Sequence, residues 1–304
     1  MTGEAVAGRG GRIRAAAGGR RLQAIALMCA ATVFFAALDT SAKSLSGILP
    51  AVEIVWARYV AAAVFGVLAV RPLRNPGVLR SNRPMLQIVR SLLLLASTTC
   101  NFLALRRLQL AETSTINFLT PLFVVALAGP LLGEWPDGGR LVAVAIGFLG
   151  VVVATGPGAG AFQPVVFVAI AGVGCNAGYA IATRMLARSD AAGTTLAWTS
   201  LAGVAVLTPL LPFVWADPPD LETQAIMVAM GVFASLGHWL LILAHERAPA
   251  SVLSPFGYTQ LLWMIVAGLL AFGDRPSGAV LLGAGIVVGC GLYLIWRERA
   301  ARAR

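Results

Sequence analysis

Charged side chains are scarce in this 304-residue sequence, at 12% of residues against roughly 25% in soluble domains. Lysine occurs once and histidine twice. So few ionisable groups cannot cover a globule of this size with a water-facing surface. This argues against a soluble enzyme and against a nucleic-acid-binding domain, despite a formal net charge of +10. Hydrophobic residues make up 58%, and the 33 glycines suit close helix packing in lipid. The composition predicts an all-α polytopic membrane protein.

Signatures of a catalytic, metal or nucleotide site are missing. There is no His-Glu-x-x-His, no Gly-x-Ser-x-Gly, no nucleotide-binding glycine loop and no paired aspartate within an apolar run. The four cysteines lie in four separate apolar runs, so no pair has metal-ligand spacing and no disulfide is expected. We therefore predict no cofactor, no enzymatic activity and no ATP-driven pump.

Ten apolar runs approach the length of about 20 residues that crosses a bilayer core of about 30 Å. They cover residues 22–45, 51–70, 84–106, 111–132, 140–155, 164–186, 192–213, 222–244, 250–272 and 277–296. Residues 1–21 are rich in Gly, Ala and Arg and are predicted to form a disordered cytoplasmic tail. Residues 297–304 are expected to form a second cytoplasmic tail.

The basic residues predict an orientation. With the N-terminus inside, seventeen Lys and Arg fall on the inner side and four on the outer side, while Arg58 and Arg90 lie within spans. Cytoplasmic loops carry such an excess of basic residues. We expect both termini in the cytoplasm, with the chain in a bacterial-type inner membrane.

The sequence contains two similar halves, residues 22–155 and 164–296, joined by a Gly- and Pro-rich linker at 156–163. Corresponding motifs recur at a nearly constant offset along the chain; Trp56, for example, matches Trp198. Each half has five predicted spans, and an odd number inverts the second copy in the membrane. Inverted repeats are typical of transporters that bind substrate near the midplane, between the halves.

Short motifs recur around the fourth and ninth spans. They are Leu110-Ala111-Glu112, Pro121-Leu122-Phe123 and Leu132-Gly133-Glu134 in the first half, and Ala248-Pro249-Ala250-Ser251, Ser254-Pro255 and Gly273-Asp274 in the second. With these motifs the sequence resembles the drug/metabolite transporter superfamily, in its EamA-type branch. The resemblance implies ten helices around a central cavity, which the first four helices of each half line. It also implies transport of metabolites such as amino acids, aromatic ones among them.

Polar residues within the spans are the candidate site, because a charge at this depth needs a partner or a cavity. Asp39 and Lys43 share one helix face through their i,i+4 spacing. Arg58 could bind a substrate carboxylate bidentately, and Asp39 could face an ammonium group or titrate. A structural ion-pair network is the competing interpretation. The predicted cavity residues are Arg58, Asp39, Lys43, Trp56, Arg90, Asn101, Asn117, Tyr179, His238, Trp239, Tyr258 and Trp263.

Helix-breaking residues predict hinges. Pro121 interrupts the fourth span, and Pro255 with Gly257 interrupts the ninth. A static kink is an equally open interpretation. Two Gly-x-x-x-Gly pairs, at 174–178 and 285–289, fit packing within one chain or between two. We expect a monomer.

The predicted function is export of small metabolites, most of all amino acids including aromatic ones, by alternating access. The alternative within this class is transport of nucleotide-linked or phosphorylated metabolites. That substrate would need several convergent basic residues. A membrane-embedded enzyme and a receptor are the alternatives from other classes, and neither explains two inverted halves. The expected partners are the lipid bilayer and a small molecule.

Overall fold

A computed structural model describes residues 3–70, 76–133, 135, 137–155, 163–186, 189–248, 253 and 256–302. Within these ranges the regular structure is entirely helical, which confirms the predicted fold class. Eight stretches are long and apolar enough to cross a membrane. Pro255 and linker residues 156–162 lie outside the described residues.

Helices of the first half follow the first five predicted spans. They are α1 (Gly3–Leu45), α2 (Ala51–Val70), α3 (Pro84–Leu105), α4 (Leu110–Asn117), α5 (Thr120–Leu132) and α6 (Gly138–Thr155). Helices of the second half follow the other five. They are α7 (Val165–Leu186), α8 (Ala192–Leu207), α9 (Leu211–Val214), α10 (Leu221–Arg247), α11 (Gln260–Phe272) and α12 (Gly278–Arg302). Short 3₁₀ turns lie at Pro76–Leu79 and Thr208–Leu210.

The N-terminal segment differs from the prediction. Helix α1 begins at Gly3, so the segment expected to be a disordered tail is helical. The alanines and arginines of this segment favour helix, whereas its six glycines do not. A helix already nucleated in the apolar span also extends at little further cost.

The fourth and ninth spans are both interrupted, at equivalent positions. Helix α4 ends at Asn117 and α5 starts at Thr120, with Pro121 in the first turn of α5. In the second half, a turn at Tyr258 and Thr259 precedes α11. The proline at position 121 removes one backbone donor, and its ring clashes with the carbonyl four residues earlier. The helix of the first half therefore breaks before Pro121. Movement at these breaks remains a prediction.

Both interrupted spans also end in the same way. Gly133 caps α5 with φ 72°, and Gly273 caps α11 with φ 67°. Only glycine adopts this left-handed conformation without a steric penalty.

Packing between the halves is reciprocal. Helix α1 packs against α10 and α3 against α7; α2 packs against α8 and α6 against α12. Phe118 and Tyr258, which occupy equivalent positions in the two halves, pack edge to face with ring centroids 4.9 Å apart. Such matched contacts are what a two-fold axis relating the halves produces. They bury the apolar faces of both halves on one another.

Glycines allow a close approach between α6 and α12. A Cβ atom at Gly283 would lie 2.6 Å from the Cβ of Ala154 and would also meet the carbonyl oxygen of Gly150. On the same helix, Gly285 and Gly289 have nothing within 4 Å of such an atom. Gly174 and Gly178 instead pack within the chain, against Phe123 and Leu93.

We expect Gly283→Ala to destabilise the fold by about 1–3 kcal/mol, the usual cost of overpacking a filled interior. Gly285→Ala is the matched control and should leave stability unchanged or slightly raise it, because alanine favours helix. Thermal unfolding of the detergent-solubilised protein measures both. Equal melting temperatures for the two variants would contradict the close contact between α6 and α12.

Candidate functional site

A cavity of about 360 Å³ lies between the two halves, lined by helices from both. Its lining combines polar side chains with aromatic rings, and we call it the polar compartment. The lining residues are Phe35, Leu38, Asp39, Arg58, Leu94, Ser97, Thr98, Asn101, Phe102, Ser114, Asn117, Phe118, Thr120, Asn176, Tyr179, His238 and Gln260. Asp39, Arg58, Asn101, Asn117, Tyr179 and His238 are the members predicted from the sequence.

Asp39 is held by a chain of amides. Asn101 Nδ2 donates to Asp39 Oδ1 over 3.2 Å, and Asn117 Nδ2 donates to Asn101 Oδ1 over 2.8 Å. The side chain of Asp39 is buried, with 7% of the residue exposed. Its second carboxylate oxygen accepts no hydrogen bond from the described residues. The polar compartment therefore contains an acceptor that is oriented by the protein and has capacity for a donor.

Arg58 is the basic counterpart on α2. Its Nη1 donates to Thr98 Oγ1 over 2.6 Å, and the guanidinium lies 6.0 Å from the ring centroid of Phe102. Within the described structure, its other N–H groups have no hydrogen-bonding partner. An oriented guanidinium with free donors is suited to binding a carboxylate.

Arg90 has a different environment. Nε donates to Thr183 Oγ1 over 2.7 Å, Nη2 to the Tyr179 hydroxyl over 2.9 Å, and Nη1 to Thr199 Oγ1 and to the Thr195 carbonyl. Its guanidinium also lies 4.5 Å from the Tyr179 ring centroid. Arg90 thereby joins α3 to α7 and α8, and most of its donors are used by the protein. The geometry favours a structural role over the predicted binding role.

A second, smaller space of about 90 Å³ adjoins the polar compartment, and we call it the apolar compartment. The two share Arg58, Leu94, Tyr179 and His238. The other residues lining the apolar compartment are Tyr59, Ala62, Phe65, Arg90, Thr199, Ser200, Ala234, Ser235, Trp239 and Ile242.

His238 lies at the junction of the compartments. Its Nδ1 is 2.8 Å from the carbonyl oxygen of Ala234, one turn earlier on α10. A carbonyl oxygen only accepts, so Nδ1 carries a proton, and Nε2 is an acceptor when the ring is neutral. The ring also packs edge to face on Phe35, with centroids 5.1 Å apart.

Four predicted cavity residues do not line either compartment. Lys43 Nζ instead binds Asp274 Oδ2 at 2.8 Å and the Leu108 carbonyl at 3.0 Å. Trp56 donates to Thr208 Oγ1 and packs against Trp215. The other two are Tyr258, which packs on Phe118, and Trp263, which is 38% exposed. Lys43 shares a helix face with Asp39, as predicted, but it is long enough to reach the loop between α11 and α12.

Several lining residues were not predicted from the sequence, including Thr98, Ser114, Gln260 and the phenylalanines. Uncharged polar residues and phenylalanines are common in membrane helices, so their residue type gives no signal. The repeat relates Gln260 to Thr120, and both line the cavity, but neither residue was predicted and the repeat alone does not single them out.

Reciprocal contacts connect the loops of the two halves. Asp190, just before α8, accepts from Asn82 N over 2.9 Å and from Gln87 Nε2 over 2.8 Å, and also binds Ser81. Glu53, in the first turn of α2, accepts from Ala216 N over 3.1 Å. Partial burial opposes ionisation of Asp190, but its hydrogen bonds outweigh that effect and its pKa lies below the usual value.

Comparison with known proteins agrees with this geometry. The sequence matches the EamA-like transporter family twice, over residues 22–156 and 163–297. A solved crystal structure has the same fold, with a TM-score of 0.61 and 21% identity over 88% of this chain and 95% of that chain.

Characterised relatives are membrane carriers. The S-adenosylmethionine uptake transporter of Rickettsia conorii is 27% identical over 74% of this chain and 76% of its own length. The riboflavin transporter of Brucella anthropi is 26% identical over 89% and 98%. The pseudopaline exporter of Pseudomonas aeruginosa is 24% identical over 87% and 93%.

The fold and the central cavity define a polytopic carrier, a membrane transporter of small metabolites and not an enzyme. The chain belongs to the EamA-like transporter family. The narrower resemblance to exporters of aromatic amino acids is not supported by these relatives, whose named substrates differ.

We expect Arg90→Met to reduce the free energy of unfolding by roughly 2 kcal/mol or more, because several hydrogen bonds to a charged group are lost. Arg58→Met, the matched control, removes one such bond and should cost less. Thermal unfolding in detergent compares them. A larger loss of stability in Arg58→Met would contradict the assignment of Arg90 as the structural arginine.

Proposed function

We propose that this chain carries a zwitterionic, amino-acid-type metabolite across the inner membrane by alternating access. The observation that carries the proposal is that an acid, Asp39, and a base, Arg58, both line the polar compartment. Each is oriented by one described side chain and each keeps hydrogen-bonding capacity. An ammonium group complements the carboxylate, and a carboxylate complements the guanidinium.

Charge balance supports a zwitterion. A substrate with one positive and one negative group replaces water around both side chains without leaving a net charge inside the bundle. The amides of Asn101, Asn117 and Asn176 supply further donors and acceptors around it. Among the substrates that the relatives' names give, S-adenosylmethionine contains an amino-acid group, whereas riboflavin is not a zwitterion.

A phosphorylated or nucleotide-linked substrate is less well supported. It would need several convergent cations. Of the basic residues that line the two compartments, Arg90 is occupied by the protein and Arg58 retains most of its donors. The carboxylate of Asp39 would also repel a phosphate.

We also propose that both termini lie in the cytoplasm, because basic residues are concentrated on that side of the predicted topology. The direction of net flux follows from the gradients across the membrane. Relatives include an uptake transporter and an exporter. Export by this chain remains a prediction, and the assay below measures both directions.

We expect Arg58→Ala and Asp39→Asn to reduce transport at least tenfold, because each removes one charge that recognises the substrate. The measurement is flux of labelled amino acids, S-adenosylmethionine and riboflavin in proteoliposomes, in both directions and with and without a proton gradient. Arg140→Ala is the control, since Arg140 lies outside the cavity in the first turn of α6.

Two outcomes would overturn the proposal. One is wild-type rates in both cavity variants at normal folded yield. The other is transport by the wild-type protein of riboflavin alone, since riboflavin is not a zwitterion.

A further inference from the structure

The apolar compartment is built from small and aromatic residues in a regular arrangement. On α2, Ala62 lies one turn beyond Arg58 and Phe65 nearly one turn further. On α10, Ala234 and Ser235 come before His238, and Trp239 and Ile242 follow. Small side chains thus flank the space, and larger ones lie towards its far end.

Two aromatic rings line the end of the apolar compartment that is farther from Arg58. Phe65 and Trp239 have centroids 6.5 Å apart and planes inclined by 54°. The hydroxyl of Ser235 donates its proton to the carbonyl oxygen of Gly231 on its own helix at 2.9 Å, so it has no donor left for a ligand. The walls from α2 and α10 are therefore mostly apolar, in contrast with the amide-lined polar compartment.

We propose that this apolar compartment receives the side chain of the transported metabolite and that Ala62 limits the size of the group that enters. The inference rests on the proposed function, because it takes the charged groups of the substrate to lie in the polar compartment. It goes further by assigning a size and polarity to the rest of the substrate.

The residues that line both compartments set the orientation of the bound substrate. Arg58 and His238 line both compartments, so a carboxylate bound at Arg58 lies at the opening between them. The side chain of an amino acid begins one carbon from its carboxylate. It can therefore extend past Ala62 towards Phe65 while the ammonium group remains on the Asp39 side.

The volume of the apolar compartment limits the size of the substrate side chain that it can hold. An apolar cavity of about 150 Å³ holds benzene, and this compartment has about 90 Å³. Because it adjoins the polar compartment, part of a bound group can lie at the junction. A branched aliphatic chain is then the largest group that the compartment holds by itself, and a single ring fits only with part of it at the junction. Phenylalanine and leucine should be better substrates than tryptophan.

The test compares labelled phenylalanine with labelled alanine in proteoliposomes containing the full chain. Ala62→Leu fills the compartment, so phenylalanine transport should fall roughly tenfold while alanine transport stays within about twofold of wild type. Alanine transport also reports that the variant is folded. Ala145→Leu is the matched control, since Ala145 is exposed on α6, and it should leave both rates unchanged.

An enlarging variant gives an independent test. Phe65→Ala opens the far end, so the rate of tryptophan relative to phenylalanine should rise. If Ala62→Leu does not fold, this ratio alone decides, and an unchanged ratio overturns the inference. Parallel loss of alanine and phenylalanine transport in folded Ala62→Leu, or no loss of either, also overturns it.

Failure of the proposed function gives a different result. In that case the wild-type protein transports neither alanine nor phenylalanine, and both proposals fall together. Wild-type transport of both amino acids with no size discrimination in the variants would leave the proposed function intact and remove the inference.

Discussion

The structure depends on one constraint: polar groups within an apolar bundle must find partners inside the protein. Arg90 meets this constraint through hydroxyl and carbonyl groups on α7 and α8. Lys43 meets it through Asp274 and a backbone carbonyl. In each case the partner belongs to, or lies beside, the other half of the chain. Burial of charge therefore couples the two halves and fixes their relative position.

The helices of the two halves are arranged symmetrically, but the charged residues of the cavity are not. Helix packing between the halves is reciprocal, and Phe118 meets its counterpart Tyr258 directly. The charged residues do not follow this symmetry. At the offset that relates Trp56 to Trp198, Arg58 corresponds to Ser200. Asp39 likewise has no acidic counterpart, since the offset that relates Lys43 to Arg184 matches it with Ala180. Helices of both halves line the cavity, but its charged residues, Asp39 and Arg58, lie in the first half.

Much of the fold could be predicted from sequence because lipid imposes a simple rule on length and composition. Every predicted span has a helical counterpart, and the broken helix at Pro121 follows from the missing donor of proline. The hydrogen-bonding partners of the charged residues could not be predicted in the same way. Lys43 binds a residue 231 positions away, and this contact exists only once the two halves have packed. The hydrogen bonds of Arg90 depend on three helices and leave no local sequence signal. For the same reason the sequence could not separate Arg58 from Arg90.

The most direct test of the account is the accessibility of the cavity to water. In a variant whose cysteines are replaced by alanine, Ser97→Cys introduces one thiol in the lining of the polar compartment. A membrane-impermeant maleimide should label it, and a transported substrate should slow the labelling. Ala145→Cys, on the exposed face of α6, should stay unlabelled in the bilayer. An equally unreactive thiol at position 97 would contradict a water-accessible cavity between the two halves.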